Sequence, residues 1–195
     1  LLGKRSKITI FGAQKTRGVF LQFHQKNMKL ELWETPKNPI IIEGFPGFGF
    51  VGTIATEAII DHLQPKLIGR IMSERLPAMV AVHSAKLVEP LGIFYDKKNK
   101  ILIQHSVANL AGLEWDLSEA VLTLAAQLKA KEIVSLEGIG TISPEGDAKA
   151  AKSDKSEYRA FYYTNSKDAR EKFDNLGVLP LREGIIIGVT GTLLL

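Results

Sequence analysis

The 195-residue sequence contains no cysteine, which excludes disulfides, thiolate metal ligands and cysteine nucleophiles and fits a reducing compartment. No apolar run reaches the ~20 residues that a membrane-spanning helix needs, and no signal-peptide core opens the chain. Both absences lead to the expectation of a cytoplasmic protein. The phosphate-loop pattern G-x-x-x-x-G-K-[ST] and the nucleophile elbow G-x-S-x-G are also missing, so neither a phosphate-loop NTPase nor a serine hydrolase of the elbow type is expected. The four histidines (His24, His62, His83 and His105) lack metal-ligand spacing, and no metal site is expected. His83-Ser84 and His105-Ser106 read as turn residues at strand ends rather than as nucleophile pairs.

Acidic residues are absent from residues 1–27, which hold six of the lysines and arginines. Since the whole chain carries +4, the remaining 168 residues carry −2. The body is slightly acidic and has no base-stacking aromatic pattern, which argues against nucleic acid as a partner. Residues 1–27 therefore read as a basic leader, either an appended segment or an accessory arm that includes strand-like pieces at 8–11 and 19–23. Residues 28–195 read as one α/β domain, long enough to bury roughly 70% of its unfolded surface.

Residues 40–63 organise that domain. Ile40, Ile41 and Ile42 form a short buried strand, residues 44–49 a glycine-rich loop, and residues 51–63 a helix with apolar side chains at helical spacing. Gly47, Gly49 and Gly52 match the G-x-G-x-x-G spacing used where a pyrophosphate meets a helix N-terminus, and Glu74 stands about where a ribose-binding acid would. Against a nucleotide, Pro46 removes a backbone donor, Phe48 and Phe50 crowd the loop, and Glu43 would repel a phosphate. The other reading is a loop whose glycines permit close packing of strand and helix and whose aromatics meet a partner.

Further strands are expected at 30–33, 67–72, 79–83, 87–95 and 101–105, the last two joined as an antiparallel hairpin through the polar turn 96–100. A helix follows over 115–129, with an apolar stripe of Leu117, Val121, Leu122, Leu124, Ala125 and Leu128 and with Asp116 or Ser118 as cap. Then come a strand at 133–136, a solvated loop over 144–157, a strand within 158–164, a helix over 167–176 closed by Gly177, and strands at 178–181 and 185–189. Alternation of strands and helices with an antiparallel insertion predicts a three-layer α/β sandwich around a mixed sheet.

Glu43 and Glu137 each close an apolar strand and each precede a glycine. On parallel neighbouring strands both carboxylates would lie at the carboxyl edge of the sheet, with Gly44, Gly47, Gly49 and Gly138 lining a candidate ligand pocket. Two such acids can split their pKa values or hold a cation, or they can cap neighbouring loop amides. Both readings stay open at the level of sequence.

Glu43 to Gly52 (EGFPGFGFVG), Ser73 to Pro77 (SERLP), Leu136 to Gly140 (LEGIG) and Gly184 to Gly191 (GIIIGVTG) together resemble the proteasome assembly chaperone family in its archaeal branch, some members of which carry an uncharacterised ATP-grasp label. The resemblance covers about residues 28–195. It implies a fold similar to nucleoside phosphorylases, homo-oligomers or pairing with a sister subunit, and non-enzymatic help in assembling proteasome α-subunits, with no catalytic residue and no cofactor. Phe45, Phe48 and Phe50 are the candidate partner-binding residues. The chain ends in Leu193-Leu194-Leu195 without the hydrophobic-Tyr-any tripeptide through which such chaperones dock, so a natural C-terminus beyond residue 195 is expected. The alternative is a nucleoside- or nucleotide-binding enzyme using the carboxyl-edge pocket.

Overall fold

The computed structural model describes residues 18–25, 27–83, 85–139 and 160–195. The strand expected at 8–11 and the loop expected over 144–157 lie outside the described residues. Seven strands form one mixed sheet: β1 (Leu21–Gln25), β2 (Met28–Leu32), β3 (Ile40–Gly44), β4 (Lys66–Met72), β7 (Leu91–Asp96), β8 (Ile101–Ser106) and β9 (Glu132–Ser135). Their spatial order is β1-β2-β4-β7-β8-β3-β9. The pairs from β1 to β8 are antiparallel, while β3 runs parallel to β8 on one side and to β9 on the other. Between β4 and β7 a separate hairpin, β5 (Ala81–His83) with β6 (Lys86–Val88), stands off the sheet. The single strand expected over 87–95 is thus divided between this hairpin and β7.

Alternation along the strands decides which face each helix covers. Thr56 of α1 (Val51–Leu63) reaches Gly44 and His105, whereas Thr190 of α4 (Gly188–Leu193) reaches Glu43, the neighbouring position on the same strand. Successive side chains point to opposite faces, so α1 and α4 lie on opposite sides of the sheet. Helix α2 (Glu114–Leu128) packs on α4, and its Leu117, Val121, Leu124 and Leu128 are buried with Leu30, Leu32, Ile41, Leu91, Ile93 and Leu102 in the main core. The continuous apolar run of Ile40, Ile41 and Ile42 fits a strand with parallel neighbours on both sides and helices on both faces.

The turn between β7 and β8 is fixed by Asp96, whose carboxylate accepts the amides of Lys98 and Asn99 at 3.1 and 3.2 Å, as an Asx side chain at the start of a tight turn does. Helix α1 ends where Gln64 takes a left-handed conformation at φ 49° and Pro65 follows. Beyond the main sheet, β10 (Phe161–Tyr162), α3 (Lys167–Asn175) and β11 (Leu179–Pro180) make a small parallel unit. In it Tyr162 stacks on Phe173 with ring centroids 4.8 Å apart and donates a hydrogen bond to Asp174 at 2.6 Å.

The strand-like piece expected at 19–23 falls on β1, where Leu21 to Gln25 pair with Met28 to Leu32 at the edge of the sheet. Two expectations need correction. The strand expected over 185–189 is not formed: Gly188, at φ 73°, turns the chain into α4, which lets Val189 and Thr190 bury side chains. Nor do Asp116 and Ser118 cap α2. Leu113 occupies that position without a side-chain cap, Ser118 bonds back to the Trp115 carbonyl, and Asp116 accepts from Arg75 at 3.0 Å.

Arg75 also donates to the Gly112 carbonyl at 2.6 Å, tying the segment after β4 to the start of α2. Its partner carboxylate is largely buried, so truncation leaves a desolvated acid short of a donor. Arg75→Ala should lower stability by about 1–2 kcal/mol, read as a fall in urea midpoint at unchanged m.

Candidate functional site

The residues predicted to form a site converge at the carboxyl edge of the three parallel strands. In register, Glu43 on β3 lies beside Gln104 on β8 and Ser135 on β9, and Glu137 follows β9 by two residues. The two acids meet through Thr190. Its hydroxyl donates to Glu43 Oε1 at 2.9 Å and lies 3.4 Å from Glu137 Oε2. The other oxygen of Glu137 accepts the amides of Phe48 and Gly138, both at 3.0 Å.

That last contact decides what the glycine loop does. In a dinucleotide site the loop amides and the helix N-terminus receive a pyrophosphate. Here the Phe48 amide receives the protein's own Glu137 carboxylate, and a Cβ placed on Gly47 would stand 2.2 Å from its Oε1. The space needed for phosphate is occupied by an internal anion. Glu74 is also too far away, because β7 and β8 separate β4 from β3; three strand spacings amount to about 14 Å. It lies exposed in the turn after β4.

The glycines instead set the depth at which α1 sits. A Cβ on Gly52 would fall 2.2 Å from the Leu136 carbonyl and 3.0 Å from that of Phe45, while one on Gly44 would meet the Gly52 carbonyl at 2.2 Å and one on Gly138 the Phe48 carbonyl at 2.1 Å. Gly49 turns the loop at φ 65°, and Phe50 follows at φ 56°, a left-handed conformation that is costly for an aromatic residue. The strain has a directional result. Phe48 is 53% and Phe50 61% exposed, and Val51 and Ile54 continue the apolar surface on α1 at 47% and 60%. Phe45 does not join them: it is buried in the main core, so of the three candidate aromatics only two stand on the surface. The alternation of the strand explains this, since residues 41, 43 and 45 share the inward face.

Electrostatically the two acids are unequal. Complete burial, partly offset by hydrogen bonds and reinforced by the nearby Glu137, pushes the Glu43 carboxyl up to about 7. Burial also raises Glu137, against the lowering effect of its amide donors from Gly138 and Phe48 and of Thr190. Glu43 Oε2 and both polar atoms of the Gln104 amide are buried without a hydrogen-bond partner. Thr190 and Gln104 were not singled out from sequence. The available signals were a threonine between glycines in an apolar stretch and a lone amide inside an apolar strand.

On the opposite face His105 pairs with Thr56 rather than with Ser106, Nδ1 to Oγ1 being 2.8 Å. Three carbonyls surround the same hydroxyl (Gly44, Gly52 and Thr53) at 3.0 to 3.3 Å, so the imidazole donates and the hydroxyl passes its proton to a carbonyl. Burial holds His105 below the usual imidazole range, as befits a structural neutral ring. Among the described residues no group of three or more His, Asp or Glu could hold a metal, and no helix is long and apolar enough to cross a membrane. Two clefts of about 290 Å³ each are lined by other residues, one around Tyr163 and Arg182 and one around Ser73 and Pro90.

Residues 41–195 match the model of the PAC2 family. The chain belongs to the PAC2 family. This PAC2 chain is similar to the crystal structure of Pyrococcus furiosus PbaA, an archaeal homolog of proteasome-assembly chaperone, at 27% identity and a TM-score of 0.71, over 87% of this chain and 66% of that one. It shares its fold with a protein of unknown function from Thermoplasma acidophilum (22% identity, TM-score 0.64, covering 82% of this chain and 62% of that one). The same holds for P. furiosus PbaB, an archaeal proteasome activator (20%, 0.62, 86% and 73%). The PAC2 chain thus spans about two thirds of the length of the first of these structures. No curated protein matches the sequence.

Proposed function

We propose that this PAC2 chain is a non-enzymatic, proteasome-assembly-chaperone-like scaffold, cytoplasmic, acting as a homo-oligomer or with a sister subunit. In this reading it binds proteasome α-subunits through the loop at the start of α1. The observation that carries the reading is the pair of exposed aromatics, Phe48 and Phe50, held on a loop whose backbone is pinned by Glu137 and closed down by close-packed glycines. A preorganised aromatic pair costs little entropy on binding and is the side-chain type found at the centres of interfaces. The likeness to PbaA directs the reading to the proteasome. Co-purification with proteasome α-subunits is the test. Replacing Phe48 and Phe50 together by Ser should weaken capture at least tenfold, about 1.4 kcal/mol, while leaving thermal stability within about 1 kcal/mol because neither side chain is in the core. Capture that is absent in the natural chain, or unchanged in the double variant, rejects it.

The second reading is a nucleoside- or nucleotide-binding enzyme with a nucleoside-phosphorylase-like fold, using Glu43, Gly44, Gly47, Gly49, Glu137 and Gly138 at the carboxyl edge. It is favoured by one observation, the buried acid with a carboxyl raised to about 7 beside a half-buried second acid, since such pairs serve acid-base chemistry. It predicts a thermal shift with nucleosides at saturating concentration, and no shift rejects it.

A further inference from the structure

Two surfaces of the chain present exposed apolar side chains, and they differ in the sign of their charge. The first is the hairpin of β5 and β6, which lies between β4 and β7 in the chain and forms a separate sheet of two strands. A ribbon of two three-residue strands is marginal by itself. In register Ala81 faces Val88, Val82 faces Leu87 and His83 faces Lys86. Ala81 and Val88 are half-buried, whereas Val82 is 67% and Leu87 54% exposed. Successive side chains of a strand point to opposite faces, so the cross-strand pair of Val82 and Leu87 makes the outer face of the ribbon, and the exposed Val80 leads into it.

The second surface is the outer side of α1. Val51, Ile54 and Ala58 are exposed and recur at helical spacing. Asp61 continues the same line, and the exposed Glu57 stands one turn from both Ile54 and Asp61. Residues 51–63 hold these two acids and no lysine or arginine, while residues 79–88 hold Lys86 and no acid. The salt bridges of the described residues use none of the three. Each surface thus offers apolar contact at its centre and a single sign of charge at its margin, as the core and rim of an interface do.

Shape agrees with charge. The strand axes of a ribbon lie about 5 Å apart, so with its side chains the outer face is about as broad as one helix, whose diameter is about 10 Å. The hairpin does not reach the helix of its own chain, since both surfaces are exposed there. It follows β4, and β7 and β8 separate β4 from β3, where α1 is rooted.

We propose that the outer face of the β5–β6 hairpin of one copy seats on the outer side of α1 of a second copy, Val82 and Leu87 against Val51 and Ile54, with Lys86 turned toward Glu57 and Asp61. The inference rests on the self-association named under the proposed function and assigns the surfaces that produce it. The seat lies on the helix, beyond the loop that carries Phe48 and Phe50. Because the contact joins two different surfaces, it is satisfied at both ends only in a reciprocal pair or a closed ring.

Light scattering over a dilution series tests this. The natural chain should have a mass that is a multiple of 21.5 kDa at micromolar concentration. Val82→Ser combined with Leu87→Ser, and separately Ile54→Ser, should move the dissociation midpoint to at least about tenfold higher concentration. Lys86→Glu should do the same, as should Glu57→Lys combined with Asp61→Lys, because each sets like charges opposite one another. All three charge changes in one chain should bring the midpoint back to within about threefold of the natural chain, a recovery that loss of fold cannot produce. A monomeric natural chain overturns the contact and the homo-oligomer together. An oligomer that withstands the hairpin and helix variants, or charge changes that do not compensate, overturns the contact alone and leaves the homo-oligomer standing.

Discussion

Gly52→Ala should destabilise the chain by about 2–4 kcal/mol, although in an ordinary helix interior the same change stabilises by about 1 kcal/mol. The reversal comes from the depth of α1 against the sheet. A methyl at this position meets the Leu136 carbonyl at 2.2 Å and the Phe45 carbonyl at 3.0 Å, and both obstacles are backbone. No side chain can rotate away, so the helix must lift from β3 or the segment after β9 must move. Lifting the helix also disturbs the Thr56 hydroxyl, which reaches the Gly44 carbonyl at 3.3 Å. For a domain of this size the loss amounts to a fall in Tm of about 5–15 °C. Thermal unfolding of the purified variant checks it, and a variant as stable as the natural chain would show that α1 does not sit this close.

Glu43→Gln should have little effect on stability near pH 4.5 and should raise it at pH 8 by as much as about 3 kcal/mol. The folded chain keeps the Glu43 proton up to about 7, whereas the unfolded chain releases it near 4.5. Between those values the folded state binds the proton that the unfolded state lacks, and each pH unit removes about 1.4 kcal/mol of stability. The contribution of a protonated Glu43 is therefore fully present below about 4.5 and is lost as pH rises through about 7. Glutamine resembles the protonated acid in shape, accepts from Thr190 through its oxygen, and stays neutral throughout. Urea unfolding of both chains at the two pH values gives the comparison. A variant that is the less stable of the two at pH 8 would mean that the ionised carboxylate is the form the fold has provided for.

The order and type of elements followed from the residues wherever one local force dominates. The isoleucine run of β3, the stripe of α2 and the Asp96 turn each carry a pattern of hydrophobic spacing or turn chemistry that no tertiary context opposes. Legibility failed where context outweighed pattern. Residues 185–189 are as β-branched and apolar as β3, yet Gly188 and the partners of Thr190 turn the chain there into a helix. The loop over 44–52 shows a dinucleotide spacing because both uses demand glycine for close approach. What approaches, a phosphate or the Glu137 carboxylate, depends on a residue 89 positions further on.

By itself the sequence determined the class of the protein: mixed α/β, without disulfides, thiolates or a phosphate loop, and built on a strand-loop-helix unit at residues 40–63. These are consequences of composition and of spacing over a few residues, which local physics can read. Only the tertiary structure decided that Glu43, Glu137 and Thr190 share one hydroxyl. It alone buried Phe45 while leaving Phe48 and Phe50 exposed. It also left the amide of Gln104 unsatisfied beside a buried acid. Those facts depend on which strands become neighbours and on how closely a helix can approach a sheet, and both are set by packing among residues far apart in the chain.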